Sequence, residues 1–77
     1  MNNTEEHTEN KPNWRAEIGE EYYYIVFNCF GAFIVFRAFD YRHGDNERYY
    51  NSGNYFRTDK EAKKYIEIIK DVLINRK

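Results

Sequence analysis

Apolar residues form two neighbouring, nearly continuous runs, both rich in aromatic and β-branched residues. Residues 22–27 (YYYIVF) predict a first strand, and residues 32–41 (AFIVFRAFDY) predict a second. The four residues between them, 28–31, are typical of a tight turn in which Gly31 takes a positive φ. The pattern therefore predicts an antiparallel hairpin.

A helical period replaces these continuous apolar runs near the C-terminus. Residues 58–61 (TDKE) form a capping box, in which a Thr58 hydroxyl and a Glu61 carboxylate satisfy the first free backbone N–H groups of a helix. Apolar residues then recur three and four positions apart and form one stripe: Ala62, Tyr65, Ile66, Ile69, Val72 and Leu73. We expect a helix that begins at Thr58 and continues to the end of the chain.

The segment between the hairpin and the helix is less regular. Residues 42–47 (RHGDNE) have the composition of a turn, and residues 48–50 and 55–57 predict a third strand. Residues 51–54 interrupt this strand as a kink, where Gly53 and Asn54 supply unusual backbone angles. A short fourth strand over residues 14–18 is an alternative. The predicted fold class is α+β, a three-stranded or four-stranded antiparallel sheet packed on one C-terminal helix.

Charge and composition divide the chain into a tail and one domain. Residues 1–21 contain six carboxylates against two basic residues, a net charge of −4, whereas the remainder carries +3. We interpret residues 1–13 as a disordered acidic tail and residues 14–77 as a single βββα domain. The acidic segment is either a solvated tail or an arm that meets a basic partner. Aromatic residues make up 19% of the chain, which excludes disorder of the whole.

Neither compartment signals nor catalytic motifs stand out. The single Cys29 has no partner for an internal disulfide, the first residues are polar and acidic, and no stretch is long and apolar enough to span a membrane. His7 and His43 lack a second ligand at metal spacing, and Gly44 and Gly53 do not form a phosphate loop. A pairing of Cys29 with His43, or a carboxylate cluster in residues 40–47, is less plausible than inert turn residues. We therefore expect a cytoplasmic protein that is not an enzyme and holds neither cofactor nor metal.

Both faces of the predicted hairpin are apolar, although one helix covers only one face of a sheet. Three interpretations follow: Trp14 and the N-terminal segment cover the second face, that face binds a protein or a second copy of the chain, or it stacks nucleic-acid bases. Arg37, Arg42, Arg48 and Arg57 favour the third, but the slightly negative net charge makes nucleic acid less plausible than protein. The predicted partner-binding residues are aromatic or basic side chains of the sheet: Tyr22, Tyr24, Phe33, Phe36, Arg37, Phe39, Tyr41, Arg48 and Tyr49.

Two motifs resemble a domain common in small bacteriophage and prophage proteins. In that domain a Trp precedes a Gly-Glu-x-Tyr-Tyr strand, and a Gly-Asn-x-Phe-x-Thr segment leads into a Glu-Ala helix. The resemblance covers residues 14–73 and is carried by Trp14, Gly19, Glu20, Tyr22, Tyr23, Gly53, Asn54, Phe56, Thr58, Glu61 and Ala62. This chain departs from the pattern in its second strand, residues 33–39, which is more apolar than is usual there.

The resemblance implies an origin rather than a mechanism. Very small phage proteins without catalytic residues are often inhibitors of host defence, such as anti-CRISPR proteins, that act by occupying a surface. The function expected by this analogy is a non-catalytic protein-binding module. It would inhibit a host defence system, such as a nuclease effector complex, in the cytoplasm of an infected or lysogenic bacterium. A homodimer is a further expectation, and a small nucleic-acid-binding accessory protein is the alternative.

Overall fold

A computed structural model describes residues 12–75, in which two strands precede two helices. The strands are β1 (Glu21–Phe27) and β2 (Phe33–Phe39), and the helices are α1 (Gly44–Ser52) and α2 (Asp59–Asn75). The α+β class is therefore confirmed. Most of the predicted acidic tail, residues 1–11, lies outside the described residues, as do residues 76–77.

The hairpin agrees with its sequence pattern to within one or two residues at each end. β1 and β2 are antiparallel, with Tyr24 opposite Phe36. The turn between them contains Gly31 at φ +84°, a left-handed conformation that glycine adopts readily. The side chain of Asn28 fixes the turn, because its Oδ1 accepts hydrogen bonds from the N–H groups of Phe30 and Ala32 at 2.9 and 3.0 Å.

The predicted third strand is wrong in its first half, because residues 48–50 belong to helix α1. The residues expected to form a turn, 42–47, instead lead into this helix. Asn46 accounts for the difference: its Oδ1 accepts hydrogen bonds from the N–H groups of Tyr41 and His43, and its Nδ2 donates to the Tyr22 hydroxyl. These contacts tie the helix start to β1 and to the end of β2, and outweigh the strand preference of tyrosine.

The second half of the predicted third strand is reduced to one isolated bridge. Phe56 and Tyr23 exchange backbone hydrogen bonds of 2.8 and 2.9 Å on the side of β1 that faces away from β2. Gly53 has a positive φ of +86°, as predicted, but it ends helix α1 rather than kinking a strand, and Asn54 does not share this conformation. Between residues 12 and 75 the sheet has two strands, and residues 14–18 do not form a further one.

The C-terminal helix confirms the strongest prediction from the sequence. Thr58 Oγ1 accepts the N–H of Glu61 at 3.1 Å, so the capping interaction is present at the expected residue. The Glu61 carboxylate reaches back by one residue more than expected, to the N–H of Arg57 at 3.3 Å. Within the predicted apolar stripe Ala62 and Ile66 are buried, whereas Tyr65, Val72 and Leu73 are about half exposed or more.

The two helices lie over opposite faces of the hairpin. Helix α2 packs on the face that carries Ile25, since Ile25 and Ile69 line the same groove. Helix α1 packs on the other face, where the rings of Tyr24 and Tyr49 stack with centroids 4.2 Å apart. Residues 14–16 and Tyr55 complete the cover of that second face, with Ala16, Tyr22 and Tyr55 forming the buried centre. The interpretation that the N-terminal segment covers the second face is thus confirmed in part.

Candidate functional site

Three of the predicted partner-binding residues serve the core. Tyr22 is only 1% exposed and stacks on Tyr55, with ring centroids 4.3 Å apart. Tyr24 and Tyr49 stack on each other and are half-buried. Tyr49 lies on helix α1, which the sequence pattern did not predict. By packing on Tyr24, this helix covers one of the two hairpin faces that were expected to be apolar.

A buried carboxylate, Asp40, holds the end of β2 to the N-terminal segment. Its Oδ2 accepts hydrogen bonds from Arg15 Nε at 3.0 Å and from the Tyr55 hydroxyl at 2.7 Å, while its Oδ1 accepts the N–H of Arg42 at 2.9 Å. The Tyr55 hydroxyl in turn accepts the N–H of Ala16 at 2.9 Å. Arg15 also binds Glu47 of α1 through both of its terminal nitrogens, at 3.0 and 3.3 Å. We name Arg15, Asp40, Arg42, Glu47 and Tyr55 the Asp40 network.

The pKa values of two members of this network, Asp40 and Tyr55, lie far from neutral pH. Burial by itself raises the pKa of Asp40, but hydrogen bonds from Arg15, Tyr55 and Arg42 outweigh it and hold that pKa well below its ordinary range. Burial, and then the hydrogen bond to Asp40, raises the pKa of Tyr55 to about 12. A general acid or base works best with a pKa near the working pH, so these groups are suited to holding the fold together rather than to proton transfer.

The other candidate chemistry is dispersed. Cys29 lies exposed in the hairpin turn, whereas His43 precedes helix α1 at the opposite end of β2. Seven residues of strand separate them by roughly 20 Å, so they do not form a thiol–base pair. Asp45 pairs with Arg48 one turn along α1. Within residues 12–75, no three His, Cys, Asp or Glu side chains are grouped as metal ligands would be.

Among the remaining predicted residues, Arg48 lies on helix α1 and the others lie on β2 or just after it, and most are exposed. Phe36 and Phe39 are 44% and 45% exposed, Tyr41 is similarly open, and Phe33 is half-buried against Phe27. Arg37 pairs with Glu21 of β1 at 3.6 Å, and Arg48 points into solvent with Asp45. The structure therefore leaves exposed aromatic rings on both faces of β2. Phe36 lies on the tyrosine face, with its ring centroid 5.8 Å from that of Tyr24, and Phe33 and Phe39 lie on the other face.

A second apolar surface, missed by the sequence analysis, lies on the other edge of the sheet. An open groove of ≈ 460 Å³ runs between helix α2 and the segment that follows α1, over the outer edge of β1. Ile68 and Val72, both at least half exposed, lie three residues beyond Tyr65 and Ile69 on the helix, so helical spacing places them next to the groove. We call this set the groove surface: Ile25, Phe56, Tyr65, Ile68, Ile69 and Val72.

Helical spacing contains a signal for this surface. A two-stranded sheet buries only a narrow stripe of a helix, so apolar residues beside that stripe have no partner within the sheet. Tyr65, Ile68 and Val72 are spaced three and four apart on one side of the buried Ala62 and Ile66. A wider sheet would cover these additional apolar residues, so they indicate an exposed surface only once the sheet is known to have two strands.

Polar groups at the rim of the groove are already occupied. The side chain of Asn54 accepts the N–H of Ile25 at 2.7 Å and donates to its C=O at 2.8 Å, taking the place that a strand would have beside β1. The Ser52 hydroxyl donates to the C=O of Tyr49 at 3.1 Å. Asn54 and Ser52 are thus engaged within the chain, and the groove combines these polar residues with apolar side chains: Ile25, Phe56, Tyr65 and Ile69.

Comparisons of the chain with protein-family models, with curated proteins and with solved structures found no match. No helix between residues 12 and 75 has the length and apolar character needed to cross a membrane.

Proposed function

We propose that this chain is a protein-binding module that takes an apolar segment of a target protein into the groove surface. The observation that carries the proposal is the continuity of the groove with the exposed stripe of helix α2. Apolar patches of this kind, beyond singly scattered side chains, mark sites where a protein meets a partner. Tyrosine and phenylalanine at the centre of such a patch are typical anchors.

The shape and chemistry of the groove point to a segment of protein chain. Its apolar lining consists of the rings of Phe56 and Tyr65 and the side chains of Ile25 and Ile69. A volume of ≈ 460 Å³ accommodates a few large apolar side chains. Because the amide of Asn54 is already bonded to β1, binding gains chiefly from burial of apolar area.

Nucleic acid is less well supported as the partner. Among the arginines that favoured it, Arg37, Arg42 and Arg48 each pair with a carboxylate of the same chain. Arg57 lies 5.7 Å from the centroid of the Trp14 ring. Phosphate binding requires cations that are free to meet it, and pairing reduces the positive field that attracts a nucleic acid.

The biological role proposed for this module rests on the resemblance of its motifs to the small phage domain. On that analogy the target is a component of a host defence system, such as a nuclease effector, and the chain inhibits it without catalysis by occupying a surface in the bacterial cytoplasm. The resemblance assigns no residue to this inhibition.

Capture from a nuclease-treated bacterial lysate, compared between variants, tests the proposal. Val72→Glu places a carboxylate on the groove surface. The control, Phe30→Glu, places the same charge in the hairpin turn, outside the groove surface, at a side chain that is 89% exposed. We look for a protein that binds to the parent and to Phe30→Glu but not to Val72→Glu. This protein is then purified, and its affinity for each variant is measured. We expect Val72→Glu to weaken binding by about tenfold or more, the effect of an interface residue worth about 1.4 kcal/mol.

Two results would contradict the proposal. Equal capture by all three proteins would show that the groove surface is not the binding site. Binding of a single-stranded oligonucleotide probe whose affinity falls by roughly a thousandfold or more between about 50 and 200 mM salt would indicate phosphate contacts, and so the nucleic-acid alternative.

A further inference from the structure

The outer edge of strand β2 has unpaired backbone groups. On β1, Tyr23 and Ile25 direct their N–H and C=O groups away from β2, toward Phe56 and Asn54. The register places these two residues opposite Arg37 and Val35, so the backbone groups of Arg37 and Val35 also point away from the hairpin. By the same alternation, those of Phe33 and Phe39 point outward.

Few of these outward groups have a partner among residues 12–75. The Phe39 C=O accepts one long hydrogen bond, 3.4 Å, from Asn46 Nδ2. The outward groups of Phe33, Val35 and Arg37 have no hydrogen bond to any residue in that range. Strand β2 thus presents a row of donors and acceptors of the kind that pairs with another strand.

Features that normally protect an exposed edge are weak here. Strand β2 is regular over seven residues and contains neither a proline nor a bulge. Its single charged residue, Arg37, is paired with Glu21 of its own chain at 3.6 Å and lies 5.7 Å from the ring centroid of Phe39. Phe36 and Phe39 remain nearly half exposed beside this edge. An edge with one neutralised charge and two open aromatic rings favours association.

We propose that β2 pairs antiparallel with β2 of a second copy of this chain, about a two-fold axis at Phe36. In this register Phe33 lies opposite Phe39 of the second copy and Val35 opposite Arg37 of the second copy, each pair exchanging two hydrogen bonds. The two Phe36 residues face each other at the centre, at a non-hydrogen-bonded position where Cα atoms approach to about 4.5 Å. The product is a continuous four-stranded sheet.

The sequence of β2 selects this register over its neighbours. A shift of one or two residues in either direction leaves Phe39 or Phe33 without an outward partner within the strand. One of these shifts also sets Arg37 against Arg37 of the second copy, which like charges disfavour. Only the register centred on Phe36 pairs all four outward residues and joins aromatic with aromatic across the axis.

This dimer does not rest on the proposed function, because the groove surface lies at the opposite edge of the sheet. It leaves one groove surface free at each end of the four-stranded sheet. The dimer would therefore present two target-binding sites facing away from each other, and a change at either edge leaves the other intact.

Sedimentation of the full chain, together with amide hydrogen exchange, tests the pairing. We expect a dimer above about 10 μM, since an interface formed by one strand pair is small and its affinity is in the micromolar range. The amides of Val35 and Arg37 should exchange slowly in the dimer and rapidly on dilution. A monomer at every concentration, or a dimer in which these two amides exchange rapidly, would overturn the proposal.

Charge-reversed variants at the axis give an independent result. Phe36→Lys and Phe36→Glu should each be monomeric, because each places like charges directly opposite, and an equimolar mixture should restore a dimer containing one of each. Phe30→Lys, in the hairpin turn, is the matched control and should remain dimeric. Circular dichroism of each variant establishes that it is folded. If either folded Phe36 variant still formed a dimer by itself, Phe36 would not lie on the two-fold axis. The same conclusion would follow if the two variants formed no mixed dimer.

Discussion

Replacing Tyr55 with phenylalanine removes one oxygen atom from the centre of the Asp40 network. That hydroxyl donates to Asp40 Oδ2 at 2.7 Å and accepts the N–H of Ala16 at 2.9 Å. All three residues are buried, so water does not readily replace either bond. The ring itself, stacked on Tyr22 at 4.3 Å, is retained by the substitution. Tyr55→Phe therefore isolates the energetic contribution of two hydrogen bonds.

The expected loss of stability is large for a domain of this size. A hydrogen bond to a charged group contributes about 1.5–3 kcal/mol, and a buried N–H left without a partner costs about 1–3 kcal/mol. Taking values near the lower ends, we expect the free energy of unfolding to fall by about 3 kcal/mol. A chain of 77 residues is typically stable by about 4–12 kcal/mol, so a loss of this size is a large fraction of the total. Because each kcal/mol shifts the melting temperature of a small domain by roughly 4–8 °C, we expect the melting temperature to fall by roughly 12–24 °C.

Urea unfolding, followed by circular dichroism, measures this loss against a matched control. Tyr50 belongs to the same cluster and is half-buried, with its ring centroid 5.2 Å from that of Tyr55, but its hydroxyl makes only a 3.4 Å hydrogen bond to the C=O of Pro12. Tyr50→Phe should therefore cost less than about 0.5 kcal/mol. If Tyr55→Phe and Tyr50→Phe unfolded at the same urea concentration, the Asp40 network would not hold the N-terminal segment to the sheet as described.

Three further outcomes follow from local contacts. Thr58→Ala should lower stability by about 1 kcal/mol, since it leaves the N–H of Glu61 without its cap; an unchanged melting curve would show that the cap does not stabilise helix α2. Asn54→Ala should speed amide exchange at Ile25 but not at Tyr23, whose N–H is held by Phe56; equal protection at Ile25 would refute the role given to Asn54. Because the folded pKa of Asp40 is depressed, its stabilising contribution is present above the ordinary value of 3.8 and is lost as the pH falls below it. Carboxyl NMR of Asp40 titrating at its ordinary value would contradict this.

Local signals in the sequence were sufficient for the hairpin and the C-terminal helix. The helix start depends on Thr58 and Glu61, three residues apart, and the hairpin turn depends on Asn28 and Gly31. These interactions act within a few residues, so a pattern read along the chain contains them. They also agree with the tertiary contacts that follow, which is why the predicted bounds change little.

Helix α1 and the Asp40 network depend on contacts that no local pattern contains. Tyr49 and Tyr50 favour a strand on propensity, but Asn46 anchors that segment as a helix by bonding to Tyr22, 24 residues earlier in the chain. Asp40 had the appearance of a turn residue because its partner Arg15 lies 25 residues away. Side-chain hydrogen bonds between distant segments decided both features.

The two edges of the sheet explain why a third strand was a reasonable expectation. A two-stranded sheet alone is marginally stable in water, so either edge gains from a neighbour. At β1 the neighbour is supplied within the chain: Phe56 provides one backbone bridge, and the Asn54 side chain provides the hydrogen bonds that a further strand residue would make. Because residues 54–56 occupy the edge of β1, residues 44–52 are not needed there as a strand. They form helix α1 instead and cover the tyrosine face. At β2 no residue between 12 and 75 fills the same place. In the proposed dimer, a second copy of the chain supplies the third strand at this edge.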